Sequence, residues 1–313
     1  MTNDVMIALS LLKGIGPVFI RTIDFKIYQG FSDRAIIMED ILSKRNKVIP
    51  RDEIYAAIDK AVNIIERSRE IGLEIINSND KLFPTGLLDL KDCPPILFLR
   101  GNQKLLSQEI IAIVGTRKPD SVGTKIASKL GLYFRDRGWI VCNGLADGID
   151  TFSVQFSQNN VLGAIGVLGG GLDIYETKTV QKNTQILAAK VLENNGLLIS
   201  ENITSKKEDP YSLIKACRIQ AAISKGVILV QSDISGGSRF TLKAAVESSK
   251  PIGIVVPPPQ YYSSRFEANI RIFREKEQGL QLFTEVNNKF QANIKLVFIE
   301  SSEDYEKMVR FIT

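Results

Sequence analysis

The chain of 313 residues contains no histidine and only three cysteines. Without histidine, Ser-His-Asp triads, histidine-ligated zinc and imidazole acid–base chemistry are excluded. Cys93, Cys142 and Cys217 are far apart and lie in apolar segments. This placement predicts buried thiols in a reducing compartment, and neither a disulfide framework nor a metal site.

Long apolar runs are also missing. No run approaches the ~18 residues that a membrane span requires, and MTNDVMIALSLL lacks the basic-then-apolar layout of a signal peptide. We therefore expect a cytoplasmic protein without a membrane partner. The composition, 44% hydrophobic and 24% charged, predicts a sizeable core. A net charge of +5 is compatible with a polyanionic partner without identifying one.

The segment 1–80 has the apolar periodicity of helices, which predicts a small helical domain. Within it, LKGIGPVFI at 12–20 has the Gly-Ile-Gly-Pro layout of a helix-hairpin-helix element. In that element bare glycine amides can face a phosphate. The alternative is a simple tight turn between two packed helices.

Residues 81–258 have a different hydrophobic pattern, in which short apolar runs alternate with helix-length amphipathic segments. The runs are 110–115, 139–144, 162–169, 196–201, 226–232 and 250–257. Runs that are apolar on both faces are typical of parallel strands covered by helices, so the predicted fold class is α/β, with a doubly wound, mostly parallel Rossmann-like sheet. Residues 259–313, with IKLVFIE and a last helical segment, are expected to form a short C-terminal α/β extension.

Four loops that follow these runs contain the unusual residues, and we number them in chain order. Ligands of such sheets bind beyond the carboxyl ends of the strands, where these loops lie. Loop one, within AIVGTRKPDSVG, combines Gly115, whose bare backbone can approach a ligand, with Thr116 and the cations of Arg117 and Lys118. This combination predicts an anion site. A plain strand-to-helix turn with surface cations is the alternative.

Loops two and three are glycine-rich turns with weaker signals. Loop two, GLADGID, begins at Gly144, and its Asp147 and Asp150 can cap the next helix or hold a ribose hydroxyl. Loop three, GVLGGGLDIYE, contains Gly169 and Gly170 without the spacing of a dinucleotide fingerprint or a P-loop. It is interpreted as a phosphate-tolerant turn of low specificity.

Loop four, SDISGGSRFTLKAAVE, is expected to leave successive backbone N–H groups free at a helix start, with hydroxyls and cations around them. Its site residues are Gly236, Gly237, Ser238, Arg239, Thr241 and Lys243. Just upstream, Lys215 and Arg218 lie on one face of a predicted helix, for which a solvated face is the alternative. No loop pairs a nucleophile with a base, so no catalytic residue, metal or cofactor is predicted.

These loops, in this order, resemble those of the DNA-processing protein A family (DprA, also called Smf) of the SLOG superfamily, and the matching stretches cover roughly residues 83–257. The resemblance implies an extended Rossmann-like core, single-stranded DNA binding and homodimerisation. It also implies hand-over of the strand to a RecA-type recombinase during natural transformation or recombination. The phosphate-gripping arginine of the family falls on Arg117.

The chain departs from the family at several motif positions. The family's Arg-Asn-Arg run falls on Ala216, Cys217 and Arg218, so only Arg218 remains basic, and Lys215 can stand in for the lost arginine. The family's histidine, serine and tyrosine fall on Val154, Asp120 and Val122. Phosphate affinity scales with the number of cations. These losses therefore predict weaker phosphate binding or a different ligand.

Three functions remain open at this point. The first is a DprA-like protein that binds single-stranded DNA, with Phe240 among the aromatic residues that can stack on bases. The alternative is a module of the same superfamily that binds a nucleotide or a signal nucleotide in the same crevice. The third is hydrolysis of a nucleotide N-glycosidic bond, for which the candidate carboxylates show no diagnostic spacing. Those carboxylates are Asp147, Asp150, Asp173 and Glu201.

Overall fold

The computed structural model describes residues 2–287 and 294–312. Nine of the strands in these residues form one sheet, in the order β1-β2-β8-β7-β4-β3-β9-β10-β11. Their bounds are β1 Glu74–Asn77, β2 Ile96–Gly101, β3 Ile110–Val114, β4 Ile140–Asn143, β7 Ile165–Val167, β8 Leu197–Ser200, β9 Gly226–Leu229, β10 Ile252–Val255 and β11 Leu296–Ile299. A separate hairpin consists of β5 Gln155–Ser157 and β6 Asn160–Val161.

The sheet is parallel from β8 to β11, while β2 pairs in antiparallel fashion with both β1 and β8. In the centre, Ala112 of β3 lies opposite Val227 of β9, and Val114 lies opposite Leu229. All residues of β3 and β9 are buried. The alternating apolar runs therefore form a mostly parallel α/β sheet, as their two-sided apolar character predicts.

Helices cover both faces of the sheet and occupy most of the N-terminal segment. Their bounds are α1 Thr2–Leu11, α2 Pro17–Arg21, α3 Arg34–Ser43, α4 Arg51–Glu70, α5 Thr85–Leu88, α6 Ser121–Arg135, α7 Ile149–Val154, α8 Lys182–Glu193, α9 Pro210–Ile223, α10 Arg239–Glu247, α11 Glu267–Glu275, α12 Glu277–Thr284 and α13 Asp304–Ile312. Throughout residues 2–287 and 294–312, no helix combines the length and the apolarity that crossing a membrane requires.

The two ends of the chain share elements with the central sheet. Val5 and Ile41 of the N-terminal helices belong to the same apolar core cluster as Ile111 of β3, and β1 joins the sheet before residue 80. At the other end, β11 extends the sheet by pairing in parallel with β10. The division into domains 1–80, 81–258 and 259–313 stays a prediction.

One buried side chain holds the carboxyl ends of β9 and β10 in place. The Asn269 amide of α11 donates hydrogen bonds to the carbonyls of Leu229, Val230 and Val255, at 3.3, 3.2 and 2.9 Å. Its Oδ1 atom accepts the N–H of Ser232 at 3.0 Å. Because buried backbone groups need partners, Asn269 positions the start of loop four as well as the two strands.

We predict that Asn269→Leu lowers the melting temperature of the protein by roughly 5–10 °C. The leucine leaves the four backbone groups without their partner, at a cost of about 2–4 kcal/mol, and each kcal/mol is worth about 2–4 °C in a domain of this size. Thermal unfolding followed by circular dichroism measures the effect. Asn159→Leu, at an exposed position between β5 and β6, is the control and should leave the melting temperature unchanged.

Candidate functional site

The carboxyl ends of the central parallel strands open into a cleft of about 810 Å³. All four loops contribute to its wall, together with α9 and the segment 264–267. The lining residues include Gly115, Thr116, Arg117, Lys118, Gly144, Ala146, Asp147, Asp150, Gly169, Glu208, Cys217, Gln220, Asp233, Ser235, Gly236, Gly237, Ser238, Phe240, Thr241, Arg265 and Glu267. Parallel strands place their loops on one edge of the sheet, so residues more than a hundred positions apart meet here.

Loop one is bonded directly to Gln231, the residue that precedes loop four, at this edge. The Thr116 N–H donates to the carbonyl of Gln231 at 2.7 Å, and the Asp120 N–H donates to the Gln231 side-chain oxygen at 3.0 Å. Loop two joins them, because the Ile149 N–H donates to the Thr116 carbonyl at 3.1 Å. The two glycine-bearing turns therefore form one continuous rim.

Two residues of loop four that line the cleft have backbone N–H groups without a partner among the described residues. Among the described residues, no group accepts a hydrogen bond from the N–H of Gly237 or Ser238. The sequence predicts free N–H groups on Gly236, Gly237 and Ser238. This prediction is wrong for Gly236, which donates its N–H to the Asp233 carbonyl at 3.2 Å within the turn. Two adjacent donors at the start of α10 are the part of the cleft best suited to an anion.

Three cations line the cleft. Arg117 and Lys118 are exposed, and no described carboxylate lies within ion-pair distance of either. The third, Arg265, lies beyond the triple proline and donates a hydrogen bond to the Lys118 carbonyl. Sequence reasoning did not identify Arg265, because nothing in the local pattern around it indicates that it returns to loop one.

Other predicted cations are engaged elsewhere. Arg218 is largely buried and lies 2.7 Å from the carboxylate of Glu201 and 2.9 Å from that of Asp92. Lys215 lies 3.8 Å from Asp92 and over the ring of Tyr211, and neither it nor Arg218 lines the cleft. A guanidinium already paired with an internal carboxylate has little left for a phosphate. Three further predicted residues, Gly170, Arg239 and Lys243, also lie outside the lining, and Arg239 is 3.4 Å from Glu285.

The glycines of loops one and two serve close packing between loops. A Cβ atom on Gly115 would lie 2.8 Å from the Gln231 carbonyl oxygen, closer than contacts allow. Gly148 has φ +83°, and a Cβ atom there would lie 2.4 Å from the carbonyl oxygen of Thr116. Only glycine lets these loops touch. Gly115 therefore has a structural role in loop packing, in addition to the expected role of letting the backbone approach a ligand.

Asp150 is the most unusual residue of the cleft. The residue is 8% exposed, and its Oδ2 atom accepts the N–H groups of Gly144 at 3.0 Å and Ala146 at 3.3 Å. These bonds hold loop two, in which the buried Leu145 has φ +52°. Burial raises the pKa of Asp150 to about 7, while the two backbone N–H donors and the charge of Arg117 act in the opposite direction.

A second carboxylate and a thiol in the cleft are also shifted. Burial raises the pKa of Glu208, whose side chain accepts the Gln181 N–H at 3.1 Å. Cys217 is half-buried by surface exposure, and desolvation raises the pKa of its thiol to about 11. Cys93 and Cys142 are buried, as predicted. Within the described part of the chain, no group of three or more potential ligands is placed to hold a metal ion.

The chain is similar to known DNA-processing proteins over most of its length. A family model described as DNA recombination-mediator protein A matches residues 74–291. DNA processing protein DprA of Bacillus subtilis is 31% identical over 204 residues, which cover 64% of this chain and 67% of that protein. DNA processing protein DprA of Streptococcus pneumoniae is 28% identical over 173 residues, which cover 55% of this chain and 59% of that protein. The alignments thus span between half and two thirds of this chain.

Solved structures share the fold at lower identity. The X-ray structure of DNA processing protein A from Streptococcus pneumoniae superimposes with a TM-score of 0.67 at 19% identity, covering 98% of this chain and 93% of that one. The Helicobacter pylori protein, described for its single-stranded DNA binding mode, gives a TM-score of 0.56 at 21% identity, covering 77% of this chain and 94% of that one. At these identities the likeness establishes the fold.

The raised pKa of Asp150 predicts the direction in which the stability of the protein changes with pH. The folded protein retains a proton that the unfolded chain loses above about pH 4, so native stability falls as pH rises until the folded carboxyl itself ionises near pH 7. Asp150→Asn lacks this penalty, and its amide oxygen still accepts the bonds of loop two. We expect it to melt above the wild type at pH 8 by roughly 5 °C more than at pH 5.

Asp304→Asn is the matched control for this measurement. The ion pair with Lys307 and two backbone donors hold the pKa of Asp304 below its usual range, so its stabilising effect is present at high pH and lost on acidification. The asparagine variant should therefore melt below the wild type at pH 8. An Asp150→Asn protein that is less stable than the wild type at pH 8 would contradict the assignment of a desolvated carboxylate.

Proposed function

The chain belongs to the DNA recombination-mediator protein A family, and from that premise we propose that its cleft binds single-stranded DNA during DNA uptake or recombination. The family places the chain among proteins that process DNA. The geometry supports the cleft at the carboxyl edge of the sheet as the place where the strand lies.

The observation that carries this proposal is the convergence of cations and unpaired amides at one rim. Arg117, Lys118 and Arg265 line the cleft together with the free N–H groups of Gly237 and Ser238. Backbone N–H groups and guanidinium groups are the donors that grip phosphate oxygens without regard to sequence. Phe240 lines the same cleft and offers a ring face on which a base can stack.

The predicted site residues fall into two groups in this proposal. Those that line the cleft contact the strand: Gly115, Thr116, Arg117, Lys118, Gly144, Gly169, Gly236, Gly237, Ser238 and Thr241. We assign a supporting role to the others, because Arg218 and Lys215 pair with carboxylates beside α9 and Arg239 pairs with Glu285. Arg218 then anchors α9 behind the cleft.

The wider role follows from the family. We propose that the protein acts in the cytoplasm as a homodimer and passes the strand to a RecA-type recombinase. The support is the family description as a recombination mediator and the similarity to DprA proteins. The three-domain division predicted from sequence belongs to the same proposal.

We further propose that the protein binds its ligand without transforming it. Of the four carboxylates considered for hydrolysis, Asp173 pairs with Arg67 at 2.8 Å and Glu201 pairs with Arg218 at 2.7 Å. Asp147 accepts a hydrogen bond from Asn183 at 3.0 Å. Only Asp150 is both buried and in the cleft, and a glycosidase usually needs two positioned carboxyl groups.

One observation favours a second candidate, the binding of a single nucleotide. Five carboxylates line the cleft beside its three cations: Asp147, Asp150, Glu208, Asp233 and Glu267. A channel for a polyanion is usually dominated by positive charge, whereas a mononucleotide presents one phosphate and several hydrogen-bond donors. The acidic part of the lining suits the donors of a sugar or a base.

We predict that Arg117→Ala weakens binding of a fluorescent oligo-dT roughly tenfold at low salt, because one charged phosphate contact is lost. It should also reduce the slope of log affinity against log salt concentration by about 0.7. Fluorescence anisotropy at several salt concentrations measures both quantities. Arg265→Ala should act in the same direction.

Arg69→Ala is the matched control, because Arg69 is exposed on α4 and does not line the cleft. It removes the same charge and should leave both the affinity and the salt slope unchanged. Wild-type affinity that does not fade with salt, or equal losses in Arg117→Ala and Arg69→Ala, would exclude the cleft as the phosphate site.

The two candidate functions differ in a thermal-shift experiment. Single-stranded DNA binding predicts that an oligonucleotide raises the melting temperature while nucleoside monophosphates at equal phosphate concentration do not, because several phosphates contribute to affinity. A shift with one monophosphate and none with oligonucleotides would favour the second candidate and contradict the first.

A further inference from the structure

We propose that a second cavity, at the opposite edge of the sheet from the cleft, binds a small apolar carboxylate, with the indole N–H of Trp139 and the guanidinium of Arg135 as donors. The cavity measures about 330 Å³, at the lower end of the ~300–1,000 Å³ that small-molecule sites occupy. This inference does not depend on the proposed function, because the described residues that line the cavity and those that line the cleft are entirely different.

The cavity lies where two parallel strands begin, whereas the cleft lies where they end. Trp139 immediately precedes β4 and Gly163 lies two residues before β7, and both line the cavity. At the far ends of the same strands, Gly144 follows β4 and Gly169 lies two residues after β7, and both line the cleft. The length of the strands therefore separates the two sites.

The end of α6 fixes the position of Trp139. Gly138 follows this helix with φ +77°, and the Trp139 N–H donates back to the Phe134 carbonyl at 3.0 Å. The indole ring packs edge-to-face against the ring of Phe134, with 5.7 Å between the ring centroids. Because left-handed backbone favours glycine, Gly138 allows the sharp turn that brings the indole back against its own helix.

The indole N–H of Trp139 is a donor without an acceptor. Trp139 is 7% exposed and lines the cavity, and no described group accepts a hydrogen bond from its Nε1 atom. Nε1 is also absent from the described side-chain atoms that are sealed from solvent without a partner. A buried indole N–H usually has a hydrogen-bond partner, so a ligand in the cavity with an acceptor satisfies it.

Two more N–H donors line the same cavity. Within the described chain, the backbone N–H of Gly163 has no acceptor. Arg135 turns Nε and Nη2 toward the carboxylate of Asp136, at 2.8 and 2.7 Å, and its Nη1 atom donates to no described group. The Asp136 side chain is more than half exposed and does not line the cavity. Exposed ion pairs of this kind are weak, so the guanidinium can still bind a second carboxylate.

The lining selects the chemistry of the ligand. It contains one cation, Arg135, and none of the described residues in it has a carboxylate, so it favours an anion. The rest of the wall includes four aliphatic residues, Ile140, Val141, Val161 and Leu162. A bare inorganic anion gains nothing from these residues, and a neutral hydrocarbon leaves the N–H donors unpaired. A carboxylate on an apolar body satisfies both parts of the lining.

The test uses Trp139 as the reporter, because it is the only tryptophan of the chain. Hexanoate is titrated at neutral pH while the tryptophan emission is recorded. Acetate, which lacks the apolar body, and hexanamide, which lacks the charge, are titrated in the same way. We expect hexanoate to change the emission saturably and to bind roughly tenfold or more tightly than either comparison compound, because buried methylene groups and a charge-assisted hydrogen bond each contribute such a factor.

Two variants remove the donors one at a time. Trp139→Phe keeps an aromatic ring but loses the N–H, and Arg135→Met keeps the aliphatic stem but loses the charge. Because Trp139→Phe also removes the fluorophore, both are compared with the wild type by the rise in melting temperature that excess hexanoate produces. Both should lose most of that rise. Arg69→Met, at an exposed position of α4 outside the cavity, is the control and should retain it.

Two sources can present an apolar carboxylate: a free small acid and the last residue of a protein chain. A tripeptide that ends in leucine, prepared with a free and with an amidated carboxylate, distinguishes them. Tighter binding of the free tripeptide than of hexanoate assigns the cavity to a chain terminus, and the reverse order assigns it to a small acid. Equal binding of the free and the amidated tripeptide, together with equal binding of hexanoate and hexanamide, overturns carboxylate recognition.

The other outcomes are separate from those of the proposed function. Emission that hexanoate does not change, or that acetate changes at the same concentrations, overturns the proposal. An unaltered rise in melting temperature in both Trp139→Phe and Arg135→Met also overturns it, and the exposed Arg135 keeps this test available if Trp139→Phe does not fold. Arg135→Met should bind oligo-dT as tightly as the wild type, because Arg135 does not line the cleft. A loss of that binding would overturn the assignment of Arg135 to a separate site.

Discussion

Hydrogen bonds between the loop after β3 and the loop after β9 hold the cleft together. Gln231 accepts from the Thr116 N–H through its carbonyl and from the Asp120 N–H through its side chain, at 2.7 and 3.0 Å. Because β3 and β9 are parallel neighbours, their carboxyl ends lie side by side and these bonds can form. Asn269 then holds the next strand end to the same edge. The positions of Arg117, of the free amides of loop four and of Asp150 all follow from this arrangement.

The distribution of charge distinguishes this cleft from a uniformly basic channel. Ala216 and Cys217 occupy the first two positions of the family's Arg-Asn-Arg run. Arg218, at the third position, is neutralised by the carboxylates of Glu201 and Asp92. The exposed cations Arg117 and Lys118 line the same cleft as the buried side chains of Asp150 and Gln220.

Much of the fold could be predicted because its signals are local. Two-sided apolar runs such as 110–115 and 226–232 correspond to β3 and β9, and the family motifs located loops one and four. The antiparallel edge of β1 and β2 was not predicted, because short strands at a sheet edge have no distinctive periodicity. The same limit applies to the cleft, since Arg265 and Gln220 lie in segments whose patterns indicate only a loop and an amphipathic helix.

By itself, the sequence determined that the protein has a parallel α/β core, that its chemistry uses no imidazole, and that glycine-rich loops with cations follow the strands. Only the tertiary structure decided which cations are free, because an arginine's partner depends on carboxylates far away in the chain, as Arg218 and Asp92 illustrate. It also decided that Gly115 and Gly148 serve loop packing and that Asp150 is buried beside Gln220. Composition and spacing record which groups exist, whereas charge pairing and desolvation depend on distances between groups that are distant in sequence.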